Sequence, residues 1–292
     1  MTAVSDIIIQ LYLLGFCGFL LLTNSFQNNC RRLYLESPII TEEAITILKQ
    51  FVQVEGNAIT VVNLMKDLVM KRPTKKLNFL NFLLEFCSHE TSKVREMANQ
   101  IVLQMHSSGD FRDIIEEYSV MYLRFLISPT PPALLFGEDR GRPIVLEMWT
   151  EEIVKVCLYL FLSLLPKNQK LFKHLVDVYT STKAQVSVDF GAAQGGVKLI
   201  SVQRTILREL VPAVGNIPIN SQELLELVKT CPVGSEILVT RIVHILTDKV
   251  LPTPELVEEF KTLYKERSQD VRLLIPVLNG MNKQEVIQGN FI

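Results

Sequence analysis

Glu223–Gln288 reads ELLELVKTCPVGSEILVTRIVHILTDKVLPTPELVEEFKTLYKERSQDVRLLIPVLNGMNKQEVIQ, and its punctuation decides the fold class. Proline and glycine cut the stretch into four segments. In each, apolar residues recur at helical spacing and charged residues take the opposite face, the pattern of an amphipathic helix that buries one side. The stretch therefore predicts four helices. Periodicity leads no further than a helical scaffold, because a repeated apolar stripe carries no chemistry.

The same texture runs upstream to Ser37. Thr41 followed by Glu42 and Glu43 is a helix start, a hydroxyl cap with acids where the helix dipole favours them. Ala44, Ile45, Leu48, Phe51 and Val52 then share one face, and Gly56-Asn57 ends the run. Further helices are predicted over Ile59–Met70, Leu77–Phe86 after the break at Pro73, Glu90–Met105, Phe111–Ile127 after Ser107-Ser108-Gly109-Asp110, Glu151–Leu165 and Asn168–Thr180. Strand-like alternation is absent over any useful length. Val94-Arg95-x-x-Ala98 and Asp270-Val271-Arg272 ahead of Ile275 have the look of the second helix of a HEAT repeat. There a small residue lets the paired helix approach, and the arginine ties to a neighbouring acid. A helix pair cannot cover its own apolar face and must stack on the next pair, at a period of roughly 35 to 45 residues. The expected fold is all-α, a HEAT/armadillo-like helical-repeat solenoid.

Composition bounds the function classes. The 292 residues carry 30 basic and 31 acidic side chains, a net charge of -1, so no global field draws the chain to nucleic acid or a membrane surface. The five cysteines (Cys17, Cys30, Cys87, Cys157, Cys231) are scattered, odd in number and form no CxxC, which reads as reduced thiols of a cytosolic or nuclear protein. Ile7–Leu22, IIIQLYLLGFCGFLLL, is the most apolar run. It is shorter than the roughly 20 residues a spanning helix needs and lacks the preceding positive charge of a signal peptide. It reads as a buried helix, with a membrane anchor as the alternative; in that case Arg31-Arg32 would keep the body cytoplasmic.

Two stretches interrupt the helices. Residues 128–148, SPTPPALLFGEDRGRPIVLEM, form a proline-rich connection whose Pro129, Pro131 and Pro132 favour extended backbone. Val186–Ser201, VSVDFGAAQGGVKLIS, is glycine-rich, yet Gly196 is followed by Val197 where a phosphate loop needs lysine, so it reads as a surface insertion. No catalytic or metal motif emerges. His89, His106, His174 and His244 lack ligand spacing, although His174 with Asp177 and His244 with Asp248 lie a helical turn apart. The pairs Glu116-Glu117, Glu151-Glu152 and Glu258-Glu259 read as solvated helix faces, and Trp149 as a packing anchor. No cofactor and no enzymatic activity is expected.

Two charge groups remain. Lys71, Arg72, Lys75 and Lys76, in KRPTKK, form a candidate nuclear-import patch, or else a solvated helix junction. Arg241, Lys249, Lys265, Arg267 and Arg272 lie among Glu255, Glu258 and Glu259, a zwitterionic surface suited to protein partners rather than to a nucleic-acid backbone.

One resemblance adds to this reading. Glu236–Lys249 (EILVTRIVHILTDK), Pro254–Val257, Leu263-Tyr264 and Asp270–Gly280 (DVRLLIPVLNG) occur in the order of the symplekin family. So do Ser37–Thr41, Val69–Ser88, Pro131-Pro132 with Leu135-Phe136-Gly137, Trp149–Glu152 and Cys157–Tyr159. The chain resembles that family over about Leu33–Gln288, with interruptions. The resemblance implies a non-enzymatic scaffold of pre-mRNA 3′-end processing. Such a scaffold joins subunits of the cleavage and polyadenylation specificity factor, which holds the endonuclease, to cleavage stimulation factor. It implies a nuclear protein with a cytoplasmic or cell-junction pool and no direct sequence-specific nucleic-acid binding. The family's N-terminal phosphatase-binding HEAT domain has no counterpart here, nor do Met1–Asn29 and Val186–Ser201 have one in the family. The expected organisation is an apolar segment at 1–32, helical repeats at 33–127, the loop 128–148, repeats at 149–219 with the insertion 186–201, and a cut-off C-terminal domain at 220–292. The chain is accordingly expected to be a fragment or variant form. The reading from a different class is a membrane-anchored helical-repeat adaptor held by Ile7–Leu22.

Overall fold

The structure, a computed structural model, describes residues 31–284 apart from 33, 38, 53–56, 184–201, 269 and the side chain of Ser268. The apolar run Ile7–Leu22, the glycine-rich Val186–Ser201, Cys17 and Cys30 lie outside the described residues. Eleven α-helices make up most of what is described, joined by short 3-10 turns. Extended pairing among the described residues is limited to an isolated antiparallel bridge between Gly137 and Arg142. The all-α expectation holds. The chain divides into two compact units, residues up to 115 with 132–146, and residues 116–131 with 147 onward.

In the first unit, α1 (Glu42–Phe51) starts where Thr41 accepts the Ala44 N–H at 3.4 Å, with Glu42 and Glu43 in its first turn. It buries Ala44, Ile45, Leu48 and Phe51. α2 (Ala58–Lys71), α3 (Lys76–Phe86) and α4 (Ser92–Ser108) follow, and α4 stops at Gly109, whose φ of 97° suits glycine. α5 (Arg112–Phe125) comes next in the chain. α1 packs on α2, α2 on α3 and α3 on α4, and α2 also touches α4. Leu48, Leu64, Met65, Leu68, Phe79, Leu80, Leu83 and Phe86 are the buried centre. Each such side chain contributes about 1.5–3 kcal/mol by leaving water. The part-exposed Lys49–Glu85 ion pair at 2.7 Å contributes about 1 kcal/mol at most, so apolar seams hold the unit.

Residues 132–146 belong to this unit, and two arginines that the sequence reading passed over secure them. Arg142 is 8% exposed; its guanidinium donates to Leu135 O (2.8 Å) and Ser88 O (2.7 Å) and pairs with Glu90 (3.0 Å). Arg140 is 5% exposed and donates to the Ser88 hydroxyl at 3.1 Å, facing Glu85. His89 is buried beside them, its Nδ1 accepting the Thr91 N–H at 3.1 Å, and its Nε2 has no hydrogen-bond partner. At Gly141, φ is +73°, and a Cβ would lie 3.0 Å from the Glu90 Cβ and 3.3 Å from the His89 ring, so the hairpin approaches this closely only through glycine.

The second unit contains α6 (Glu151–Leu164), α7 (Phe172–Lys183), α8 (Val202–Val214), α9 (Gln222–Thr230), α10 (Glu236–Thr247) and α11 (Pro254–Leu263). Thr150, Ser221 and Thr253 cap α6, α9 and α11 by accepting N–H groups three residues on. The Trp149 indole anchors the entry to α6 by donating to Ser128 O at 2.9 Å. α6 packs on α8 and α8 on α10, while α7 packs on α9 and α9 on α11. Helices two apart in sequence thus touch in two rows, joined where α7 meets α8.

One element departs from expectation. Beyond α11 the predicted helical pattern gives way to a π turn at Tyr264–Ser268 followed by 3-10 turns at Val271–Leu273 and Ile275–Gly280. Asp270 accepts the Arg272 N–H on its side chain at 3.0 Å, and Pro276 has no N–H to continue an α-helical ladder. The HEAT-like reading of Asp270-Val271-Arg272 as part of an α-helix is therefore corrected. At the other such site, Val94 and Ala98 are buried, and Arg95 donates to the preceding carbonyls of His89 and Glu90.

Arg142→Ala should lower the stability of the first unit by about 3 kcal/mol, because the Leu135 and Ser88 carbonyls lose their donor; urea unfolding measures this. Burial, then Arg142, Arg95 and Arg140, lower the His89 pKa from 6.5 to about 4. Between these values the unfolded chain binds a proton there that the folded chain does not. The unit should therefore lose stability as pH falls through that window, and His89→Gln should flatten the dependence.

Candidate functional site

α10 carries two stripes. Leu238, Val239, Ile242, Val243, Ile245 and Leu246 are buried, while Ile237, Thr240, Arg241 and His244 fall at i, i+3, i+4 and i+7 on the other side. This second stripe is one wall of a groove of about 570 Å³. The opposite wall is the segment Asp270–Pro276, packed against α10 through the turn at Ile275–Gly280. Ile237 is 62% and Ile275 51% exposed, so each wall offers a large apolar side chain to solvent.

The charges in the groove are not equivalent. Arg272 is spoken for: its Nε lies 3.0 Å from Asp270 Oδ1 and its Nη2 2.8 Å from Oδ2, a bidentate pair. Hydrogen bonds from the Arg272 side chain and backbone hold the Asp270 carboxyl below its ordinary pKa, and the same pair raises that of Arg272. The side chains of Arg241 and His244 make no hydrogen bond or ion pair among the described residues. Glu236 stands at the N-terminal end of the groove.

Of the five cations predicted for partner binding, the structure brings Arg241 and Arg272 together here. Lys249 lies in the turn after α10, and Lys265 and Arg267 in the π turn; all three are exposed and outside the groove. The basic patch is divided in its roles. Arg72 donates to the Tyr34, Leu35 and Ser37 carbonyls, Lys75 to Ile40 O at 3.0 Å, and Lys76 lies 5.5 Å from the centre of the Phe111 ring. Lys71 alone of the four has no partner among the described residues. Ile237, Thr240, His244 and Ile275 were not singled out as a surface by sequence reasoning. The signal for the first three was present, as a second helical stripe opposite the buried one.

A larger cleft of about 680 Å³ between α7 and α9 mixes Lys170 and Lys173 with Asp177, Glu223 and Glu226; its Phe172, Val176 and Leu227 are buried, and Pro232 is its exposed apolar residue. His174, on α7, has its Nδ1 buried and unpartnered, and burial, Lys173 and Arg124 lower its pKa against the pull of Asp177. Among the described residues no group of three or more potential ligands could hold a metal ion, and no helix is long and apolar enough to cross a membrane. Cys87, Cys157 and Cys231 are buried and free, and burial raises the thiol pKa of Cys87 and Cys231. The groove is therefore the site with both apolar anchors and uncommitted charge. No family model matches the chain, and no solved structure matches it.

The groove's second wall depends on Gly280. A Cβ there would lie 2.6 Å from Pro252 Cγ and 2.8 Å from Val257 Cγ2, closer than packed carbons approach. Gly280→Ala should cost the second unit about 1–3 kcal/mol, read as a lower midpoint in urea.

Proposed function

We propose that this chain is a non-catalytic scaffold of the pre-mRNA 3′-end cleavage and polyadenylation machinery, a helical-repeat protein related to symplekin. The observation that carries the reading is Asp270–Gly280, DVRLLIPVLNG, standing in order after Glu236–Lys249 and Pro254–Val257. Glu236–Lys249 and Asp270–Gly280 supply the two walls of the groove, so the resemblance falls on exposed features as well as on buried ones. The HEAT/armadillo-like part of the reading is supported by the two rows of i, i+2 helix contacts in the second unit.

The mechanism is one of effective concentration. A scaffold that binds the cleavage endonuclease complex at one surface and cleavage stimulation factor at another makes their meeting intramolecular. It needs no catalytic residue and no cofactor. Its working place is the nucleus, where these partners process transcripts, and its contacts are with protein rather than with RNA sequence.

Affinity purification of tagged chain from nuclear extract, with mass spectrometry of what co-elutes, tests the proposal. Enrichment of subunits of the cleavage and polyadenylation specificity factor and of cleavage stimulation factor is the expected result. Recovery of chaperones alone, or of membrane proteins after alkaline-resistant extraction, would overturn it.

A further inference from the structure

We infer that the groove between α10 and Asp270–Pro276 receives an amphipathic helix of a partner protein, one that presents apolar side chains accompanied by a carboxylate. The inference rests on the scaffold reading and names the chemistry of what the scaffold holds. Ile237 and His244 are seven residues apart on α10, about 10 Å along the helix axis, or two turns of a bound helix. Ile237 and Ile275, at 62% and 51% exposure, face solvent from opposite walls, which is the arrangement that anchors a helix in a groove.

Charge selects among apolar helices. Asp270 neutralises Arg272 through the bidentate pair, so Arg272 contributes no unmatched charge. Arg241 lines the same groove, one helical turn along α10 from Ile237, as a cation with no ion pair among the described residues, and the His244 side chain is a further uncommitted donor. A carboxylate on the occupant completes Arg241 with a charge-assisted hydrogen bond. Glu236 and Asp270 keep two carboxylates at the groove, which disfavours a phosphate backbone and leaves room for one or two acidic side chains rather than an acidic run.

The test uses the purified chain and two fluorescent amphipathic peptides. One carries leucines at i, i+3, i+4 and i+7 with glutamates beside them; in the other, lysine replaces each glutamate. The glutamate peptide should bind, and the lysine peptide should bind at least about tenfold more weakly, the loss expected when one charged contact is reversed. Arg241→Glu and Ile237→Ser, both at positions with solvent access, should each weaken the glutamate peptide by about tenfold without changing the far-ultraviolet circular dichroism. Lys93→Glu, an equal change of charge on α4, should leave binding intact. Equal affinity for the two peptides, no saturable binding of either, or indifference to Arg241→Glu would overturn the inference. So would self-association of the chain that Ile237→Ser abolishes, which assigns the groove to a second copy, or Arg241-dependent binding of single-stranded RNA. Failure here with co-purification of the processing factors intact would sink the groove reading alone; loss of co-purification with peptide binding intact would sink the scaffold reading alone.

Discussion

A short amphipathic helix has nowhere to put its apolar face except against another helix, and this constraint organises the molecule. The described helices run from 9 residues in α9 to 17 in α4, and all but α4 are of a length that is marginal alone in water. α8 meets this by touching α6 on one side and α10 on the other, and α9 does the same between α7 and α11. Each helix is both core and cover for its neighbours. The arrangement frees the remaining face, and on α10 that face carries Ile237, Arg241 and His244.

Arginine does a second job in the fold. Arg142 and Arg140 hold residues 132–146 by donating to backbone carbonyls and a hydroxyl, and Arg72 holds residues 34–37 in the same way. Irregular segments leave carbonyls without helical partners, and a planar guanidinium with five N–H donors satisfies several at once. Removing such an arginine therefore costs more than removing a surface ion pair, because the carbonyls stay behind unpaired. His89, neutral within this cluster, tolerates the neighbouring guanidiniums only while it carries no charge.

Helix starts were the most legible part of the fold. Thr41 and Thr150, each followed by two glutamates, mark α1 and α6 within a residue because capping is a local interaction. The C-terminal turns were less legible. LLIPVL has the apolar content of a helix, and only Pro276, with the Asp270–Arg272 pair ahead of it, distinguishes tight turns from a continuing α-helix. The roles of Arg140 and Arg142 were not legible at all, since the Ser88 hydroxyl, the Glu85 carboxylate and the Leu135 and Ser88 carbonyls that they meet are brought near by tertiary folding. Of the candidate site, Arg241 and Arg272 stood out by charge, whereas the apolar anchors Ile237 and Ile275 did not, because only the packing fixes which stripe faces inward.

The most direct measurement is hydrogen exchange by mass spectrometry on the chain alone and within the assembly captured from nuclear extract. The account predicts added protection at Ile237–His244 and at Asp270–Pro276 in the assembly, with the buried stripes of α6 and α8 protected equally in both samples. Protection confined to other surfaces, with these two segments unchanged, would contradict it.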